Sequence, residues 1–176
     1  MARKLRYVSV FSGIEAVSCA LDPDVWEPVA FSEIDPFPSA VLAHHYPDVP
    51  NLGDITKIDW TPYVGSVDVV WGGSPCQSFS LAGNREGLKG ASGLMFEFIR
   101  CVRELGPRWF VWENVPGALS SENGHAFGQL LSEMAGGGVW PGVASTGRAV
   151  LRCGPATRAC VSCRKSWNHA LRGSTF

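Results

Sequence analysis

Strand-like and helix-like stretches alternate along the first 135 residues, and no other feature constrains the fold as strongly. Apolar and β-branched runs typical of buried strands occupy residues 5–11, 27–32, 67–71 and 109–115. Helix-like stretches fall between and beyond them, at residues 14–21, 37–46, 94–105 and 126–135, and residues 94–105 show clear helical periodicity. Strands that alternate with helices predict an α/β fold built on a doubly wound parallel sheet.

The composition is typical of a soluble globular protein, since 45% of the 176 residues are hydrophobic and 18% are charged. No apolar run approaches the ~20 residues that a membrane-spanning helix needs. The basic N-terminus also lacks the apolar stretch of a signal peptide. We therefore expect a cytoplasmic protein without a membrane partner, whose six cysteines are reduced thiols.

The charge distribution changes abruptly near residue 135. Residues 1–135 carry nine basic residues against all sixteen acidic ones, a net charge of −7, whereas residues 136–176 carry six basic residues and no acidic residue. The second segment also holds three of the six cysteines and shows no clear periodicity. The sequence therefore predicts a folded domain over residues 1–135 and a basic, disordered tail over residues 136–176.

Four residues that can carry chemistry lie at or after the carboxyl end of a predicted strand, namely Gly13, Glu33, Cys76 and Glu113. Ligands of a doubly wound sheet bind beyond the carboxyl ends of its strands, so we expect one shared cleft. A glycine between a strand and a helix lets a ligand approach the backbone and the free N–H groups of the helix. An acidic residue after the next strand can accept hydrogen bonds from ribose hydroxyls. Taken alone, Gly13 also fits an ordinary turn and Glu33 a solvated surface carboxylate.

Cys76 lies in a loop rich in glycine, serine and proline that follows a predicted buried strand. Most cysteines are inert core residues. A cysteine between proline and glutamine in a polar loop is harder to explain by packing, and catalytic groups concentrate in loops held by a rigid scaffold. The context favours a nucleophile.

The motifs together resemble those of the DNA cytosine-5 methyltransferases. The stretches that carry the resemblance are Phe11-Ser12-Gly13, Pro75-Cys76-Gln77 after two glycines, and Glu113-Asn114-Val115 after a strand. Glu33 and Asp54 fall at the expected places, in order, whereas Glu15 stands where many members have a second glycine. The resemblance covers roughly residues 5–135.

The resemblance implies a Rossmann-like fold of the S-adenosylmethionine-dependent methyltransferase type, incomplete at its C-terminus, with S-adenosylmethionine as cofactor and no metal. It assigns to the cofactor site Phe11, Ser12, Gly13, Ile14, Glu33, Ile34, Asp54, Ile55 and Pro75. It assigns to the substrate site Ser74, Gln77, Ser80, Arg85, Asn114 and Val115. In this assignment Glu33 binds the ribose hydroxyls and Asp54 the adenine amino group. The alternatives are a turn aspartate for Asp54 and a solvated arginine for Arg85.

Cys76 and Glu113 are the catalytic residues that the resemblance implies. Cytosine C5 is too weak a nucleophile to take a methyl group directly. Addition of the Cys76 thiolate to C6 moves electron density to C5, and loss of the C5 proton later expels the thiolate. Glu113 contacts ring N3 and the amino group and stabilises the charge that develops on the ring. The family flips the target base out of the duplex to reach it.

The resemblance also implies double-stranded DNA as the substrate and a monomeric enzyme, with a cognate restriction enzyme as an optional partner. A related tRNA methyltransferase shares much of this motif set, so RNA remains an alternative substrate. A non-catalytic fragment that binds S-adenosylmethionine or a partner chain is a further alternative. Because later family motifs are missing, we expect this chain itself to be inactive or weakly active.

The tail lacks the Gln-x-Arg-x-Arg strand that follows Glu113 in the family. If the codons for residues 139–176 are read one nucleotide forward, synonymous codons can encode a stretch with Y-F-G-V followed by Q-R-R-E-R, which resembles the missing motif. We hypothesise a frameshift near residues 136–138. The rival interpretations are a zinc site formed by Cys153, Cys160, Cys163 and His169, and a basic arm that neutralises DNA phosphates.

Overall fold

Four parallel strands and two α-helices form the first part of the fold. The computed structural model describes residues 3–75, 91–114, 128, 134, 148–153 and 157–163, and only the backbone of residues 91–92 and of the last two ranges. The elements are β1 (Leu5–Val10), β2 (Trp26–Ser32), α1 (Pro36–His45), β3 (Val69–Gly72), α2 (Ala91–Leu105) and β4 (Trp109–Asn114). Their bounds agree closely with the predicted segments. The predicted helix over residues 126–135 lies mostly outside the described residues, although Gly128 and Met134 are helical.

The sheet has the order β2-β1-β3-β4, and all three pairs are parallel. This confirms the predicted α/β class. Since β2 lies on one side of β1 while β3 and β4 lie on the other, the winding reverses at β1. The reversal places a crevice at the carboxyl ends of β1 and β3, where ligands bind in folds of this kind.

The two helices begin and end at recognisable signals. Asp35 caps α1, because its carboxylate accepts a hydrogen bond from the Phe37 N–H at 3.0 Å and a proline opens the helix. Helix α2 buries Phe98, Val102 and Leu105 as its periodicity predicts, at roughly 1.5–3 kcal/mol of stabilisation for each large side chain. Among the described residues, no helix is long and apolar enough to cross a membrane.

The helix predicted over residues 14–21 is wrong. The structure forms only one 3-10 turn there, at Ser18–Ala20. The physical reason is backbone geometry, because Glu15 has a φ of 57°, which an α-helix cannot accommodate. No α-helix N-terminus therefore follows the turn after β1. The predicted row of free helix N–H groups is not formed at this turn.

Two further strands extend the sheet beyond β4, at β5 (Arg148–Cys153) and β6 (Thr157–Cys163). Strand β6 pairs parallel with β4, and β5 pairs antiparallel with β6. These segments lie in the tail for which the sequence predicts disorder, and their backbones differ from that prediction. The physical reason is that the edge of β4 presents N–H and C=O groups. These groups can pair with any extended segment, whatever its side chains. The boundary at residue 135 between a folded domain and a tail remains a prediction.

Candidate active site

The turn after β1 combines three residues with positive φ, which are Phe11 at 54°, Gly13 at 55° and Glu15 at 57°. Only glycine adopts this region without strain, and strained non-glycine residues cluster at functional sites. A Cβ at Gly13 would meet no atom within 4 Å, so this turn is open beside its backbone. Ser12 fastens the turn to β2, since its hydroxyl donates to the Ser9 carbonyl at 2.8 Å and accepts from the Ser32 N–H at 3.2 Å.

Glu33 is bonded to the turn after β1 rather than solvated. One carboxylate oxygen, Oε2, accepts a hydrogen bond from the Gly13 N–H at 2.8 Å. The other, Oε1, accepts from the N–H groups of Ile34 and Asp35, each at 2.8 Å. Because a carboxylate oxygen can accept two hydrogen bonds, Oε2 keeps one position for a further donor. The carboxyl ends of β1 and β2 therefore share one anchored carboxylate.

Asn51, which no sequence motif singled out, joins the end of β2 to the segment that carries Asp54. Its amide nitrogen donates to the Glu33 carbonyl and the Ser39 hydroxyl, both at 3.1 Å. Its amide oxygen accepts from the Glu33 N–H at 3.0 Å and the Gly53 N–H at 3.2 Å. No local sequence pattern predicts this role, because two of its partners, Glu33 and Ser39, lie 18 and 12 residues back along the chain.

Asp54 caps a 3-10 turn at Ile55–Lys57. Its Oδ1 accepts from the N–H and the hydroxyl of Thr56, at 3.0 and 2.8 Å, and its Oδ2 pairs with the Lys57 ammonium at 3.2 Å. These hydrogen bonds to Thr56, and then the nearby Lys57, hold the pKa of the Asp54 carboxyl below its usual value. Asp54 is thus a charged, solvent-facing acceptor, while the neighbouring Ile55 side chain is buried in the core and lines no open site.

Three large apolar side chains stand exposed near these polar groups. Ile14, Ile34 and Phe37 are 53%, 73% and 72% exposed, among the most exposed large hydrophobics in the described part of the chain. Ile14 and Ile34 were predicted cofactor residues, whereas Phe37 was not. Apolar walls beside a few polar anchors are the usual construction of a small-molecule site.

The ends of β3 and β4 are in direct contact. A Cβ at Gly73 would lie only 3.0 Å from Glu113 Oε2 and 3.3 Å from the Glu113 carbonyl, so glycine is what lets Glu113 approach. The Asn114 amide donates to the Ser74 carbonyl at 2.9 Å, and the Trp112 indole N–H donates to the Ser74 hydroxyl at 3.1 Å. These bonds are buried, so the start of the Cys76 loop is fixed against β4.

The structure thus brings the predicted cofactor residues of β1 and β2 to one edge and places Glu113 beside Gly73 at that edge. The buried Ser74 side chain is bonded to Trp112, so its predicted contact with substrate stays a prediction. Pro75 is described and half-buried. The predicted residues that lie outside the described part of the chain are Cys76, Gln77, Ser80, Arg85 and Val115. The side chains of the tail cysteines also lie outside it.

Glu15 is a carboxylate buried under the turn after β1, with 1% of the residue exposed. Its Oε1 accepts from the Ser18 hydroxyl at 3.0 Å, and Oε2 has no hydrogen-bond partner in the part of the chain that the structure describes. Burial raises the pKa of the Glu15 carboxyl, against the opposing hydrogen bonds of Ser9 and Ser18. The folded state therefore favours the protonated form.

Replacing Glu15 by glutamine should stabilise the chain at pH 8 and have less effect as the pH falls. The folded pKa lies above the unfolded value, taken as 4.5, so the carboxyl's stabilising contribution is complete below that value and is lost as the pH rises through the folded pKa. The neutral amide removes this loss. Urea denaturation at several pH values measures it, with Glu27→Gln as the control, since Glu27 is exposed. A gain that is as large at pH 4 as at pH 8 contradicts the prediction.

Comparison with known proteins identifies the family. The model of the C-5 cytosine-specific DNA methylase family matches residues 5–138. A protein of Escherichia phage P1 named a DNA N-6-adenine-methyltransferase is 47% identical over 148 residues, covering 76% of this chain and 19% of that protein. The orphan methyltransferase M.SPRI of Bacillus phage SPR is 42% identical over 127 residues, covering 69% of this chain and 29% of its own length. The chain thus spans under a third of the length of these relatives. The name of the phage P1 protein describes the whole of that protein, of which the match covers 19%.

Solved structures agree on the fold. A putative DNA modification methyltransferase encoded within an E. coli prophage superimposes with a TM-score of 0.63 at 22% identity, covering 84% of this chain and 40% of the other. The Dnmt2 methyltransferase of S. pombe gives 0.58 at 17% identity, covering 76% of this chain and 41% of the other. Because the family model matches well over half of the chain, this protein belongs to the C-5 cytosine-specific DNA methylase family.

Proposed function

We propose that this chain is the part of a DNA cytosine-5 methyltransferase that binds S-adenosylmethionine and carries the nucleophile, Cys76. The observation that carries the proposal is the contact between Glu113 and Gly73, with Asn114 bonded to Ser74. It joins the two family motifs that must act on one base, and it fixes the chain two residues before Cys76. These motifs are 40 residues apart in sequence, so the contact is a property of the fold.

The residues present fit the cofactor. Glu33 Oε2 keeps a position for a ribose hydroxyl, Gly13 leaves open space beside its backbone, and Ile14 and Ile34 offer exposed apolar walls. The exposed carboxylate of Asp54 can accept a hydrogen bond from the adenine amino group. When bound, S-adenosylmethionine supplies the methyl group. Phe11 and Ser12 shape the turn, and Pro75 and the Ile55 backbone complete the proposed cofactor site.

Cys76 and Glu113 divide the chemistry on the substrate. The Cys76 thiolate adds to cytosine C6, which makes C5 nucleophilic, so that C5 can take the methyl group. Loss of the C5 proton then restores the C5–C6 double bond and expels the thiolate. Glu113 accepts from the exocyclic amino group, and its protonated carboxyl donates to N3 and so stabilises the negative charge that develops on the ring. Gln77, Ser80, Arg85 and Val115 are proposed substrate contacts.

We propose double-stranded DNA as the substrate. The net charge of −7 over residues 1–135 gives little attraction for DNA phosphates, so binding requires positive charge from outside this segment. The family match ends at residue 138, next to the hypothesised frameshift. We therefore expect the chain of 176 residues to bind the cofactor and to transfer methyl groups weakly or not at all. We further propose that the enzyme is monomeric and cytoplasmic. A cognate restriction enzyme is an optional partner.

Two measurements test the proposal. Calorimetry with the 176-residue chain should show binding of S-adenosylmethionine, and the coding DNA past residue 126 should read, one nucleotide forward, into a long open frame. The frame-restored chain should then methylate cytosine in DNA. Absence of cofactor binding contradicts the proposed site, whereas binding without methyl transfer by the frame-restored chain favours the non-catalytic alternative.

A further inference from the structure

Arg100 connects the middle of α2 to the turn at Ile55–Lys57, which Asp54 caps. Asp54 marks the predicted adenine end of the cofactor site. Its Nη2 donates to the Ile55 carbonyl at 2.6 Å, and its Nη1 donates to the Ile58 carbonyl at 3.2 Å. The first carbonyl belongs to the 3-10 turn that Asp54 caps, and the second belongs to Ile58, the residue that ends this turn. The partners are more than 40 residues apart in sequence, so α2 and this turn are joined by a charged side chain as well as by apolar packing.

Two carboxylates orient the guanidinium. Arg100 Nε donates to Glu97 Oε2 at 2.7 Å, and Nη1 donates to both oxygens of Glu104 at 3.2 Å. These partners hold a planar group whose donors lie in a fixed fork. Arginine therefore meets the two carbonyls in one geometry, which the single flexible ammonium of a lysine cannot reproduce.

The side chains of Ile55 and Ile58 anchor the turn in the core, but its backbone has few hydrogen bonds of its own. Its internal backbone bonds are Lys57 N–H to Asp54 carbonyl at 2.9 Å and the longer Ile58 N–H to Ile55 carbonyl at 3.4 Å. Hydrogen bonds of 3-10 turns have poor geometry. Asp54 is bonded only to Thr56 and Lys57 among the described side-chain contacts, so its carboxylate moves with the turn.

We propose that Arg100 is a positioning residue for the adenine end of the cofactor site, which it serves by clamping the Ile55 and Ile58 carbonyls so that Asp54 faces the adenine amino group. The inference rests on the proposed function, because it takes Asp54 as the adenine acceptor. In this proposal Arg100 acts through the turn and makes no direct contact with the cofactor.

Calorimetry on the 176-residue chain tests this with two ligands. S-adenosylhomocysteine carries the adenine amino group, whereas S-inosylhomocysteine has an oxygen in its place. Arg100→Met and Arg100→Lys should each weaken S-adenosylhomocysteine binding by about 10-fold, the value of one hydrogen bond to a charged group. They should change binding of the inosine analogue much less, because that ligand has no amino group for Asp54 to hold.

Arg103→Met is the matched control, since it removes the same charge from the same helix. In the Arg100 variants, hydrogen exchange of the amides at residues 55–58 should accelerate relative to this control. Equal weakening of both ligands, or unchanged exchange and affinity, overturns the inference and assigns Arg100 to general stability. If the wild-type chain binds neither ligand, the proposed function fails and takes the inference with it. Binding by wild type that Arg100→Met leaves unchanged overturns the inference alone.

Discussion

Methyl transfer by the frame-restored chain should fall by about 10³-fold or more when Cys76 is replaced by serine, because removing a covalent nucleophile costs at least this much. A serine hydroxyl ionises far less readily than a thiol, so it should add to C6 far more slowly. Incorporation of a radioactive methyl group into DNA measures the rate. Binding of S-adenosylmethionine should stay unchanged, since Cys76 is assigned to the base and not to the cofactor.

Cys19→Ser is the matched control for this experiment. Cys19 is an exposed thiol of the same chain and lies outside the proposed site, so the rate should remain at the wild-type level. A Cys76→Ser variant that retains a tenth or more of the rate would show that the thiol is dispensable. The covalent mechanism would then be wrong even though the family assignment stands.

Replacing Glu33 by alanine should weaken the binding of S-adenosylmethionine by about 100-fold or more, since hydrogen bonds to a charged group are worth roughly 1.5–3 kcal/mol each. The change also removes the acceptor for the N–H groups of Gly13, Ile34 and Asp35. The turn after β1 then loses its tie to the end of β2. Calorimetry measures the affinity, and thermal denaturation shows whether the variant is folded.

Glu33→Gln separates binding from folding, because the amide keeps one oxygen acceptor but loses the charge. We expect an intermediate affinity and a fold close to that of the wild type. Glu27→Ala is the control, since Glu27 lies on β2, the strand that Glu33 follows, is exposed, and meets Arg6 only at 3.8 Å. Wild-type affinity in both Glu33 variants would exclude Glu33 from the cofactor site.

The agreement between sequence and structure is best where the signal is local. Buried strands need continuous apolar residues, so β1 to β4 were predictable, and the repeating apolar face of α2 predicted that helix. Helix α1 buries only Leu42, and its prediction rests on helix-compatible residues with a proline in the first turn. The helix predicted over residues 14–21 is wrong for a local reason too, but hydrophobic patterns do not reveal that reason. Residues 14–21 look helical in sequence, but they form no α-helix because Glu15 takes a positive φ.

The sequence by itself determined the order of the strands along the chain and the residue types at their carboxyl ends. That was enough to expect Gly13, Glu33, Cys76 and Glu113 at one edge, because parallel strands end on the same side of a sheet. Only the tertiary structure decided which backbone groups these side chains meet. Asn51 and Arg100 bond to atoms 18 and 45 residues away. Such bonds depend on the separation of elements in space, which no short-range periodicity encodes.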